Sequence, residues 1–324
     1  MVRRTFDILV GFVLIAMLAE TAWAQTFPSH ALRMIVNGPP GGPTDLVARM
    51  IAARISDSTG QSVVLDNRPG GGSQIAAAQL MQSPADGNTL LVGDIGAFAI
   101  NASLYPKLSF DPLKDFQPIT TLMSSPSVLI VPADSPSNSL EELLERAKSP
   151  HGRLTFASAG LGSGAHLIAE MLKMRTGAKL DHVPYNGMPQ ATHAVVAGQV
   201  DLLFQVMGVA LPLSKAGKVK VLAIASSARS PRMPDVPTTS ELGHAYLRMS
   251  PWFGVVTRSG TPQDVVALLH RKVTDALAHP DTTKRLGELG YDPFPNSPEQ
   301  FGSFMREESE RWARVVRASG TRAN

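Results

Sequence analysis

From Leu32 onward, short apolar runs bounded by glycine and proline alternate with amphipathic stretches of ten or more residues, the pattern of repeated βα units. The chain therefore reads as α/β. Strands are expected at Arg33–Val36, Val63–Leu65, Thr89–Val92, Val128–Val131, Leu154–Ala157, Val200–Phe204, Val219–Ile224 and Phe253–Val256. Between them, Leu46, Val47, Met50, Ile51 and Ile55 share one helical face, and Leu167, Ile168, Met171 and Leu172 share another. Helix starts are marked by capping boxes at Ser139 with Glu142 and at Ser297-Pro298 with Gln300, and by Thr261-Pro262 with Asp264, which resembles one. In the last helix Phe301, Phe304, Met305, Trp312, Val315 and Val316 recur at helical spacing, which means packing on the body rather than an aromatic ligand box. The irregular stretch from Ser227 to Pro237 is expected to cover a domain edge with its basic residues solvated.

The beginning of the chain breaks this pattern. Arg3 and Arg4 precede an apolar run from Ile8 to Leu18, followed by Ala22-Trp23-Ala24 before Gln25. That order is a secretory signal with cleavage expected after Ala24. The run is about a dozen residues, short of the roughly 20 that span a bilayer, so a periplasmic protein is expected. Cysteine is absent, which excludes disulfides, thiolate metal sites and cysteine nucleophiles. The remaining length of about 300 residues suggests two domains. Lysine and arginine number 30 against 27 acidic residues, without a basic stripe interleaved with aromatics, so no nucleic-acid partner is expected.

Two glycine-rich turns each lead from a strand into a helix. The first is Asn37-Gly38-Pro39-Pro40-Gly41-Gly42-Pro43-Thr44-Asp45, and the second is Ser158-Ala159-Gly160-Leu161-Gly162-Ser163-Gly164 before His166. The first N–H groups of a helix have no intrahelical acceptor and carry the positive end of its dipole, so each turn suits an anion. Together they would form opposite jaws around a carboxylate. The primary candidates are Pro40, Gly41, Gly42 and Thr44 on one jaw, and Ser158, Ala159, Gly160 and Ser163 on the other. A third cluster, Asn67-Arg68-Pro69-Gly70-Gly71-Gly72-Ser73, either shapes the cleft wall or brings Asn67 to the ligand.

Nucleotide signatures fail: no phosphate-loop Lys-Ser or Lys-Thr follows a glycine pair, and the full Gly-x-Gly-x-x-Gly spacing is missing. A hydrolytic triad of Ser163, His166 and Asp201 lacks the glycine a nucleophile elbow needs, because Leu161 stands there. His166 precedes Glu170 by four residues, as an ordinary pair on a helix surface would. Histidine spacing gives no metal motif, and neither metal nor cofactor is expected. Asp201 sits at the polar break of a hydrophobic strand and Asp94 where another strand ends; a carboxylate at either place would repel an anion directly but could orient a ligand hydroxyl, amine or water, or accept bonds from loop N–H groups. Asn67, Asp94, His166 and Asp201 thus form a second tier of candidates.

With these residues in view, the mature chain resembles the extracytoplasmic solute receptors of tripartite tricarboxylate transporters, the Bug family. Carrying the resemblance are Val36 to Asp45, Asp66 to Gly70, Ala85-Asp86-Gly87, Leu104 to Leu108, Asp115-Phe116, Ser158-Ala159-Gly160, His182 to Tyr185, Gly198 to Asp201, Lys215 to Lys218, Pro234 to Thr238 and Trp252-Phe253-Gly254. The resemblance implies a two-lobed periplasmic-binding-protein fold of type II, with lobes joined by crossing strands. The expected division is residues 25–123 plus 251–324 for one lobe and 124–250 for the other. It further implies a monomeric, non-catalytic protein that closes on a small carboxylate and hands it to membrane transporter subunits. The alternative is a receptor reporting to a membrane sensor kinase, with a secreted hydrolase a distant third. Two departures stand out: Asn37-Gly38 replaces the family's usual Pro-Phe, and Asp94 replaces a small hydroxyl residue.

Overall fold

The computed structural model describes residues 31–150 and 152–323; the expected signal sequence and its cleavage point lie outside them. Among the described residues the strands are β1 Leu32–Val36, β2 Val63–Asn67, β3 Thr89–Asp94, β4 Phe116–Ser124, β5 Ser127–Pro132, β6 Leu154–Ser158, β7 Leu180–Pro184, β8 Leu202–Val206, β9 Val219–Ile224, β10 Trp252–Arg258 and β11 Asp292–Pro293. The α-helices are α1 Pro43–Thr59, α2 Gln74–Met81, α3 Asn101–Leu104, α4 Leu140–Lys148, α5 Gly164–Thr176, α6 Met188–Val196, α7 Met207–Lys215, α8 Gln263–Ala278, α9 Pro280–Glu288 and α10 Pro298–Ser319.

The strands form two sheets, ordered β11-β4-β10-β3-β1-β2 and β7-β6-β8-β5-β9. Each has a parallel part, β2-β1-β3 in one and β7-β6-β8 in the other, extended by antiparallel strands. Sheet membership changes between Ser124 and Ser127 and again between Ile224 and Trp252. The chain thus crosses between lobes twice, giving the two-lobed α/β architecture.

Strand β4 was hidden from periodicity by Pro118, Thr120 and Thr121. It exists because it fills the place beside β10, whose ladder shifts register twice along it. Where the ladder is irregular, the Asn296 Oδ1 accepts from the Thr121 N–H at 3.1 Å. The capping signals resolve differently. Ser297 and Gln300 make the full reciprocal box. Ser139 caps Glu142 N, but the Glu142 carboxylate reaches Asn138 N at 2.7 Å instead. Thr261 does not cap α8: Pro262 occupies the cap and the Thr261 hydroxyl donates to Arg258 O at 2.8 Å.

One apolar cluster runs from the first sheet through α10 into the second lobe. In it Trp252 stacks on Phe98 and meets Phe301 edge-on, while Phe301, Met305, Trp312, Val315 and Val316 are all buried as the helical spacing implied. Glu308 is buried among them. Its carboxylate accepts from the indole N–H groups of Trp252 and Trp312 at 3.2 and 3.1 Å and from Arg311 at 3.0 Å, so its polar atoms are satisfied. Between the lobes, Gly208 lies so close to the Gly290 backbone that a Cβ on either would overlap it. Across the seam Arg232 pairs with Asp292, so the Ser227–Pro237 stretch does reach the edge of the other sheet, through an ion pair rather than a solvated charge.

Candidate functional site

Parallel strands end where their helices begin, so the loops at the carboxyl ends of β1, β3, β6 and β8 gather in one place. A cavity of about 370 Å³ lies there, lined from the first lobe by Asn37, Gly38, Pro39, Pro43, Thr44, Asp94, Ile95, Phe253 and Tyr291. From the second lobe and the crossovers come Ser127, Ala159, Ser163, Gly164, Ala165, Met188, Phe204, Val206, Met249 and Pro251. A smaller depression of about 250 Å³ shares Asp94, Ile95, Ser163 and Gly164 and continues the same cleft.

The starts of α1 and α5 face this cavity. On α1, Gly42 is the cap, Pro43 has no N–H, and Leu46 N already donates to Gly42 O at 2.9 Å. That leaves the N–H groups of Thr44 and Asp45 without a helical acceptor. On α5, Ser163 caps His166 N at 3.4 Å and Leu167 N donates to Ser163 O at 2.9 Å. Gly164 and Ala165, both at the cavity wall, keep theirs.

The first turn is held from behind by side chains. The Asp45 carboxylate accepts from Gly41 N and Arg49 Nε on one oxygen and from Asn67 Nδ2 on the other, at 2.8 to 2.9 Å. Burial pushes the Asp45 carboxyl up, yet the bonds from Arg49, Gly41 and Asn67 outweigh it and hold it below the usual range. Asn67 Nδ2 also donates to Gly38 O at 3.0 Å. Beyond it, Gly70 to Ser73 run with positive φ, and Ser73 Oγ accepts from Asn37 Nδ2 at 3.0 Å. The third glycine cluster therefore supports the first turn and its neighbour Asn37.

The second turn rests on imidazoles. Ser158, fully buried, shares a 2.6 Å hydrogen bond with His182 Nε2, accepts from Gly160 N at 3.1 Å and donates to Gly160 O at 3.0 Å. His166 Nδ1 accepts from Gly162 N at 3.0 Å, and its ring stacks on His182 at 4.1 Å. Burial, then the proximity of His182 and Lys173, pushes His166 down to about 4, and burial with Lys173 lowers His182. The surface pair expected of His166 and Glu170 is thereby corrected: His166 is 3% exposed, and its Nε2 lies 3.9 Å from Glu170. Gly162 meets Leu104 of the other lobe so closely that a Cβ there would overlap it.

Of the candidates from sequence, the cavity wall brings together Thr44, Asp94, Ala159 and Ser163. Pro40, Gly41 and Gly42 form the turn without lining the cavity, as do Ser158 and Gly160. Asn67 and His166 lie behind the turns. Asp201 stands at the opposite end of its strand, where its carboxylate takes Arg146 at 2.7 Å and Thr155 N at 2.8 Å. Sequence reasoning missed Met188, at the start of α6, and Met249, Pro251 and Tyr291, which come from connections distant in the chain. Phe253 and Phe204 were read only as strand residues. Tyr291 is buried, which pushes its phenol up to about 12, so it remains a neutral donor. Among the described residues no group of three or more potential metal ligands converges, and no helix is long and apolar enough to cross a membrane.

Comparison with known proteins sets this geometry in context. A family model described as the tripartite tricarboxylate transporter family receptor matches residues 47–321. Protein BugT of Bordetella pertussis is 36% identical over 320 residues, covering 98% of either chain. The structure of R. palustris Rpa4515 with adipate is 33% identical, with a TM-score of 0.81, covering 91% of this chain and 98% of that one. MatC from Rhodopseudomonas palustris with bound malate is 35% identical, with a TM-score of 0.78, covering 90% and 100%.

Proposed function

The chain belongs to the tripartite tricarboxylate transporter receptor family, and on that premise we propose that it captures a small carboxylate in its interlobe cavity and presents it to a membrane transporter. It acts outside the cytoplasm, in the periplasm, and binds rather than transforms its ligand. The observation that carries this reading is the convergence of two helix starts, one from each lobe, on one cavity.

A carboxylate between them takes charge-assisted hydrogen bonds from the first-turn N–H groups of Thr44 and Asp45 on one side and Gly164 and Ala165 on the other. The hydroxyls of Thr44 and Ser163 stand beside them. Each such bond contributes about 1.5–3 kcal/mol, and each helix dipole about 0.3–2 kcal/mol. A few of them reach the roughly −8 kcal/mol of micromolar binding. The size supports the reading too, since ligand pockets run from about 300 Å³ upward. Rpa4515 and MatC, which resemble this chain over nearly their whole length, hold adipate and malate.

Thermal unfolding of the mature protein against a panel of mono-, di- and tricarboxylates tests the proposal. At about a hundredfold excess over Kd a true ligand stabilises by about 2.7 kcal/mol, seen as a rise in Tm of several degrees. Ala159→Phe, which fills the cavity, removes that rise while the unliganded protein still melts cooperatively. A panel without any shift, or a shift unchanged in Ala159→Phe, contradicts the reading. Delivery to a transporter predicts that deleting this chain abolishes uptake of the identified acid.

A further inference from the structure

Resting on the carboxylate reading, the electrostatics of the cavity point to a narrower ligand class. Among the described residues lining it, Asp94 alone carries a formal charge, and that charge is negative. None of the described arginines or lysines lines the wall to offset it. A site that attracts anions through helix starts, yet carries a carboxylate on its own wall, is badly matched to a ligand that is negative at both ends.

The hydrogen bonding around Asp94 is lopsided. Asn37 Nδ2 and Ala97 N both donate to Asp94 Oδ1, at 3.1 and 3.2 Å. Asp94 Oδ2 receives no hydrogen bond among the described residues. Next to it, Asn37 Oδ1 is buried without a partner. Turning the amide over does not help, because Oδ1 would then face the Asp94 carboxylate, and the bond from Nδ2 to Asp94 would be replaced by a contact between two acceptors. A buried acceptor left unpaired is unfavourable by about 1–3 kcal/mol, so this corner holds more acceptors than donors and one negative charge without a cationic side chain beside it. Phe204, Val206, Met249 and Phe253 make part of the cavity wall apolar.

We propose that the ligand is a zwitterion: a carboxylate bound at the helix starts, an apolar body, and a protonated nitrogen donating to Asp94 and Asn37 Oδ1. An ammonium group brings several donors and the compensating charge, which a hydroxyl brings only in part.

The test uses two series matched in skeleton: leucine, leucic acid and isocaproate, and aminocaproate, adipate and caproate. Calorimetric titration of the mature protein is expected to give the ammonium member of at least one series about tenfold or greater preference over its counterparts. Asp94→Asn keeps the acceptor for Asn37 and removes the charge, and is expected to shrink that preference below about threefold. Should that variant not fold, Asn37→Ala carries the same test, with the ammonium ligand alone weakened. The inference is overturned when adipate or an unsubstituted acid binds tightest in both series, or when Asp94→Asn keeps the preference. It is equally overturned, with the carboxylate reading intact, when the wider acid panel yields only nitrogen-free ligands. Silence of every carboxylate, matched series included, overturns both.

Discussion

The two turns that face the cavity look alike in sequence and are held in opposite ways. The first, Asn37 to Asp45, is tied down by a carboxylate and a side-chain amide: Asp45 gathers Gly41, Arg49 and Asn67, and Asn67 also clasps the Gly38 carbonyl. The second, Ser158 to His166, leans on two stacked neutral imidazoles through Ser158–His182 and Gly162–His166. A carboxylate already held below its usual range stays ionised throughout the neutral and mildly acid region. An imidazole does not have that immunity, so one jaw is built to ignore pH and the other is exposed to it.

The largest effect that would break this contrast is Asp45→Ala. It strands the Gly41 N–H, one Asn67 donor and Arg49, and is expected to lower unfolding free energy by about 3 kcal/mol, measured by urea denaturation. A loss below about 1 kcal/mol would mean the first turn holds without its carboxylate. Next comes acidification. His166 is lowered from its ordinary 6.5 to about 4 in the folded chain, so the unfolded chain binds the extra proton first. Its contribution is complete above about pH 6.5 and is lost as pH falls toward 4, by about 2 kcal/mol between pH 7 and pH 5. The same denaturation series in a His166→Gln variant should show a shallower pH dependence, and an unchanged slope would remove His166 from the account.

Smaller still, Asn67→Ala is expected to reduce stability by about 1–2 kcal/mol and to weaken every ligand by a similar factor, because Asn67 shapes the turn from behind. Titration showing selective loss of one ligand would instead indicate direct contact. Ser163→Ala sits at the end of the scale. It removes the cap of α5, worth about 1 kcal/mol, and is read out as a small drop in Tm together with weaker binding.

Local signals made part of this legible. The switch between short apolar runs and helical faces reports strands and helices within a few residues, and it located both glycine turns, the Ser297 box and the buried stripe of α10. It failed for β4, whose threonines satisfy themselves by bonding to Asn296 and Phe294, and for β7, whose side chains are largely half-buried at a sheet edge. His166 had the spacing of a surface pair because i,i+4 geometry is the same on either face of a helix. Its burial depends on His182 and Phe156, from other strands.

What the sequence by itself determined was the order of βα units and the donors at each helix start, because those follow from backbone geometry within a turn or two of chain. Only the tertiary structure decided which residues share the cavity. Asn37 and Asp94 meet because β1 and β3 lie side by side, while Met249 reaches the wall along the long connection before β10 and Tyr291 from the short turn before β11. Side-chain charges and unpaired acceptors become meaningful only when such distant segments exclude water together, and no pattern along the chain encodes that.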